Sequence, residues 1–171
     1  MMQTVTKLEN MAAQWYKGMP HLPINGRRWL STNVWWIALV GVIVGALSIV
    51  TVFFGTLLVG MFAATYGGVA GAALAGFGAV IILLSLLFSI VTMVLTAMAI
   101  APLKTKQKRG WNLLFLTVLI QVVAAVVHLL FTFNIFDLVW SLLFTAVGAY
   151  FLFEIRDDFS TAKVAKTVPK K

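Results

Sequence analysis

The chain has 171 residues, of which 61% are hydrophobic and 11% charged, with a mean hydropathy of +1.00. Thirteen Lys and Arg against five Asp and Glu leave a formal charge of +8, and there is no Cys. Disulfides, thiolate metal sites and Cys nucleophiles are therefore excluded, and the hydrophobic excess lies far outside globular usage.

Residues 1–28 carry Val5, Leu8, Ala12, Trp15 and Met19 at spacings of three to four. Lys7, Glu9, Asn10, Gln14 and Lys17 fall mostly elsewhere on the helix, so the pattern predicts an amphipathic helix lying in the membrane interface. Pro20 and Pro23 end it. The segment lacks the apolar core of a signal peptide.

From Trp29 through Leu103 there is no Asp, Glu, Lys or Arg. As a helix this stretch would run roughly 110 Å, several times the ~30 Å hydrocarbon core of a bilayer. The fold class that follows is all-α: an integral membrane four-helix transmembrane bundle with the amphipathic helix in front. The transmembrane domain spans residues 29–156, with passes at about 34–61, 72–101, 111–133 and 138–155. Ser31, Thr32 and Asn33 offer capping groups at the first pass, and the small-residue run 63–71, with its paired glycines, marks the turn after it. Pro102 is a stop for the second pass, and Asp137 a cap for the fourth. Residues 157–171 form a basic cytoplasmic tail.

Positive charges collect before the first pass, in the 104–109 loop and after the last pass. The positive-inside rule then places all three clusters and both termini in the cytoplasm, which two passes on each side of the central loop satisfy. Arg27, Arg28, Trp29, Lys104, Lys106, Lys108, Arg109 and Trp111 are expected as lipid headgroup anchors. Their arrangement beside apolar segments points to a bilayer with anionic headgroups as partner, not to nucleic acid.

Polar side chains within the passes are few. Thr117, Gln121, His128 and Thr132 fall within a ~60° arc of the third helix at 100° per residue, a stripe that should face the bundle interior. It reads either as interhelical hydrogen bonding or as the lining of a solute path. Gly41, Gly45, Gly71 and Ala75 form a small-residue face for close helix packing, within one chain or between copies. His21 and His128 are the only histidines, and one intramembrane ligand is not a haem or metal site. No catalytic, cofactor or metal set is present, and no Walker, Rossmann, HExxH or GxSxG pattern occurs.

Three stretches carry a resemblance: residues 15–23 (WYKGMPHLP), residues 102–115 from Pro102-Leu103-Lys104 through Gly110-Trp111-Asn112-Leu113-Leu114-Phe115, and residues 150–156 (YFLFEIR). In these the chain resembles a group of small bacterial four-helix integral membrane proteins with no assigned activity. The resemblance implies an inner (plasma) membrane location and the four-pass fold, and brings no substrate, ligand or cofactor. The expectation is a non-enzymatic protein of structural or interaction type, a scaffold or accessory subunit in contact with other membrane proteins or its own copies. The alternative is a small carrier or channel for an uncharged or weakly polar solute, using the third-helix stripe.

Overall fold

The computed structural model describes residues 2–16 and 18–161. Its helices are α1 (Met2–Tyr16), α2 (Ile24–Tyr66), α3 (Gly68–Lys104), α4 (Lys108–Thr132), α5 (Ile135–Glu154) and α6 (Arg156–Thr161). No strand occurs among the described residues. Helices α2 to α5 are each long and apolar enough to cross a membrane. Lys17, the Val5 side chain and the tail from residue 162 onward lie outside the described residues.

The helix ends show how local chemistry divides the chain. Pro23 supplies a ready-made helical start at φ −52°, and the Arg27 amide donates to its carbonyl at 3.0 Å. The helix thus begins about a turn before Arg28. Ser31 and Asn33, expected as caps, lie inside it and donate to the Arg28 and Trp29 carbonyls. Gly67 alone separates α2 from α3, and Gly68 takes φ +56°. A side chain on Gly71 would overlap the Ala63 carbonyl, so the hairpin needs glycine there. Pro102 sits within the last turn of α3, which continues to Lys104. Lys106 at φ 51° then reverses the chain. Phe133 ends α4 in the same left-handed conformation. The cap of α5 is Asn134, whose Oδ1 accepts from the Phe136 and Asp137 amides. Asp137 lies within the first turn and instead accepts from the Asn134 side-chain amide, because a cap must precede the amides it satisfies.

Helix α2 packs along α3, α3 along α4 and α4 along α5, while α2 and α5 barely touch. The row is not closed into a ring. Dense packing is confined to one end, here called the basic end because Arg27, Arg28, the 104–109 loop and Arg156 gather there. The core consists of Val34, Ala38, Ala99, Leu103, Trp111, Phe115, Leu152, Ile155 and Phe159. Trp111 is at its centre and wholly buried. Its ring stacks on Phe115 at 5.4 Å and meets Phe153 edge-on at 5.5 Å. Its indole N–H donates to the Leu152 carbonyl at 2.8 Å. Trp111 was expected at the lipid interface; it is instead the residue around which α3, α4 and α5 close. Gly110 makes this possible, since a Cβ there would lie 2.7 Å from the Leu103 amide nitrogen.

This packing ranks three substitutions. Trp111→Ala should cost about 3–5 kcal/mol as a large-to-small core change. Trp111→Phe should cost about 1–3 kcal/mol by leaving the Leu152 carbonyl unpaired. Trp29→Ala, at a side chain 62% exposed, should stay within roughly 0.5 kcal/mol. Thermal unfolding in mild detergent measures the series, and equal losses for Trp111→Ala and Trp29→Ala would contradict the core assignment.

Candidate functional site

Two features of the molecule concentrate polar chemistry. The first is a charged clasp at the basic end. Glu9 of α1 is buried and its Oε1 accepts from Lys108 Nζ at 2.6 Å and from Arg156 Nε at 2.8 Å. Arg156 also donates to Asn10 at 3.2 Å. Glu154 is equally buried, with His21 Nδ1 at 2.8 Å and Arg27 Nε and Nη2 at 3.2 Å. The Tyr150 hydroxyl donates to the Pro20 carbonyl, and Tyr16 stacks on Phe153 at 4.7 Å. These contacts tie α1, Pro20, His21 and Arg27 to α4, α5 and α6. The polar side of α1 therefore faces the protein, while Leu8, Met11, Trp15 and Met19 face outward.

Burial pushes the Glu9 carboxyl up, but the hydrogen bonds and charges of Lys108 and Arg156 outweigh it and hold Glu9 below the ordinary glutamate value. The 104–109 loop is met by Glu9 through Lys108, and Glu154 meets His21 before α2 and Arg27 in its first turn. Among the expected headgroup anchors, Arg27 and Lys108 are engaged in these pairs. Lys108 also lies over the Trp111 ring at 4.0 Å, and Lys104 over Trp35 at 5.1 Å. Arg28 and Arg109 form no ion pair among the described residues and are exposed, as is Trp29; Lys106 is unpaired and half-buried.

The second feature is a polar hollow in the loosely packed middle of the helix row. A cavity of about 450 Å3 lies among α2, α3 and α4, lined by Gly41, Gly45, Ser48, Ser89, Thr96 and Thr117 as well as Gln121. A second, of about 490 Å3, lies among α3, α4 and α5. Ser85, Ser89, Thr92 and Gln121 line both, so the two cavities adjoin at Gln121. Most of the hydroxyls are satisfied by their own helix: those of Ser48, Ser85, Thr96, Thr117 and Thr145 each donate to the carbonyl four residues earlier.

The third-helix stripe divides here. Thr117 and Gln121 face the hollow, whereas His128 and Thr132 lie beyond it. The Thr132 hydroxyl donates to the His128 carbonyl at 3.0 Å and lies 3.5 Å from its Nδ1. The small-residue face divides too. Gly71 makes the close approach to Ala63, and Ala75 lies one turn beyond it on α3. A methyl on Gly41 or Gly45 would meet no atom within 4 Å. Those two glycines widen the hollow and bring no backbones together within the chain. Sequence reasoning missed Glu9 as the α1 tether and Ser141 and Thr145 of α5 as neighbours of Gln121 in the hollow. A lone acid in an otherwise basic leader was the available signal for the first.

Compared with models of known families, with curated proteins and with solved structures, the chain matches none.

The clasp makes α1 docking pH-dependent. Because the folded value of Glu9 is depressed, its contribution is present above the unfolded value of ~4.3 and is lost as pH falls through the folded value. Hydrogen exchange of amides 8–16, corrected for intrinsic rates, should show α1 protected at pH 7 and released near pH 3. Glu9→Gln should weaken docking at pH 7 by roughly 1–3 kcal/mol, between the values for exposed and buried pairs. Unchanged protection in both conditions would mean that Glu9 does not hold the helix.

Proposed function

We propose that this chain is a non-catalytic integral membrane protein of structural or interaction type, a scaffold or accessory subunit of a membrane assembly. The observation that carries this reading is the mismatch between its two hairpins. Helices α2 and α3 have 43 and 37 residues, against 25 and 20 for α4 and α5. The 12-residue difference between α3 and α4 makes the first hairpin outrun the second by about 18 Å. At roughly 65 Å, α2 exceeds a bilayer of ~40–45 Å including headgroups, and even a 40° tilt leaves it about 50 Å tall.

The part that overhangs is apolar. Leu58, Phe62, Tyr66, Val69, Leu74 and Phe77 are all well exposed, and no charged side chain interrupts them. Uncovered apolar surface of this kind marks an interaction site. Another protein surface, from a partner subunit or a second copy, covers it in this reading. The anchoring set supports an inner (plasma) membrane with anionic headgroups, with the basic end and both termini cytoplasmic. Within that placement α1 lies as an interfacial helix, its outward Leu8, Met11 and Trp15 against the acyl boundary.

A second reading, a small carrier or channel for an uncharged or weakly polar solute, is favoured by the hollow around Gln121. Its volume is in the range of ligand sites.

Two measurements test the proposal. Single cysteines at Gly68 and Asn134 should label from outside the cell and one at Gln107 should not; outside labelling of Gln107 would overturn the orientation. Photo-crosslinkers at Phe62 and Leu74 should give discrete adducts of defined mass, and one at Leu143 on the short hairpin, also exposed, should give none. Phe62→Ser with Leu74→Ser should abolish the adducts and the matching species in native mass spectrometry. A monomeric mass with no adduct at the tip would refute the assembly role.

A further inference from the structure

The hollow around Gln121 contains more than a gap in packing. Three of its side chains have hydrogen-bonding capacity that no described residue fills. The Gln121 carboxamide makes no hydrogen bond among the described residues, nor do the hydroxyls of Ser89 and Ser141, although neighbouring hydroxyls are satisfied by their own helices. The three come from α4, α3 and α5, and all line the same cavity of about 490 Å3. They also stand at one height. Gln121 is 13 residues from the start of α4, Ser141 13 from the end of α5 and Ser89 15 from the end of α3, so each lies about 20 Å from the basic end. In four membrane-crossing helices that level is the middle of the hydrocarbon.

Polar groups left unpaired at that depth are costly, and four helices free to rotate would turn them onto one another. Here they face a common space walled by Phe88, Phe144, Ala124 and Ala125. The surroundings also define the charge of what fits. Residues 29–103 and 110–136 contain no charged side chain, so an ionised ligand would sit without a counter-charge. The helix row is open between α2 and α5, so entry is sideways from the bilayer.

We propose that the hollow is a binding site for an uncharged amphiphile that reaches it through the membrane. Its hydroxyl or carbonyl head hydrogen-bonds to Gln121, Ser89 and Ser141, and its apolar body lies against Phe88 and Phe144. A carboxamide both donates and accepts, so Gln121 serves either kind of head. The site stands independently of whether another protein covers the long hairpin.

The test uses the full chain in phospholipid nanodiscs and two photoreactive probes of equal length, a long-chain fatty alcohol and the corresponding fatty acid held ionised at pH 9. The alcohol should label peptides containing residues 85–92, 121–125 and 141–145. Excess unlabelled fatty alcohol should suppress that labelling, and the carboxylate should label these peptides at least fivefold less. Gln121→Leu should reduce alcohol labelling at least fivefold without lowering the thermal midpoint. If that variant is poorly folded, Ser89→Ala with Ser141→Ala removes two of the three contacts and should reduce labelling similarly. Labelling spread evenly over all lipid-facing helices, equal labelling by the carboxylate, or crosslinks at Gln121 to a second copy of the chain would each overturn the proposal.

Discussion

The buried core of the described residues is gathered around the contact between Gly110 and Leu103, with Trp111 beside it. A bilayer gives apolar helices no hydrophobic reason to associate, so packing must come from shape and from hydrogen bonds. At the basic end both are supplied. Glycine lets α3 and α4 touch, the Trp111 ring fills the space between α4 and α5, and its N–H secures the Leu152 carbonyl. Away from that end the helices part, and most of their large apolar residues are exposed.

The clasp is a consequence of the same economy of charge. Five acids serve thirteen bases, and two of those acids, Glu9 and Glu154, are buried with two basic partners each. Buried carboxylates demand such partners, so the leader cannot leave the bundle without stranding charge. The orientation of α1 follows from this and not from its apolar stripe. The stripe is left facing away from the protein, where lipid can take it.

Splaying of the helix row beyond the core leaves the hollow around Gln121 open at its side, and it leaves the α2–α3 hairpin standing alone past the α4–α5 turn. A packed end and an open remainder suit the proposed role, in which the membrane holds the basic end and the remainder meets other molecules.

The four apolar helices, a turn within residues 63–71 and the basic end were legible in the sequence. Hydropathy, charge and backbone freedom belong to each residue whatever its neighbours: an uncharged run from Trp29 to Leu103 must be apolar helix, and paired glycines must be where it folds. The polar stripe was legible as far as Thr117 and Gln121 share a face. Which groups meet was not legible, because that depends on relative helix lengths and on how each helix is rotated against the next. Only the tertiary structure turned Trp111 from the lipid interface into the core, gave Glu9 to Lys108 and Arg156, and separated His128 from Gln121. It alone left Gly41 and Gly45 facing space, since a small residue permits close approach but cannot compel a neighbour to make it.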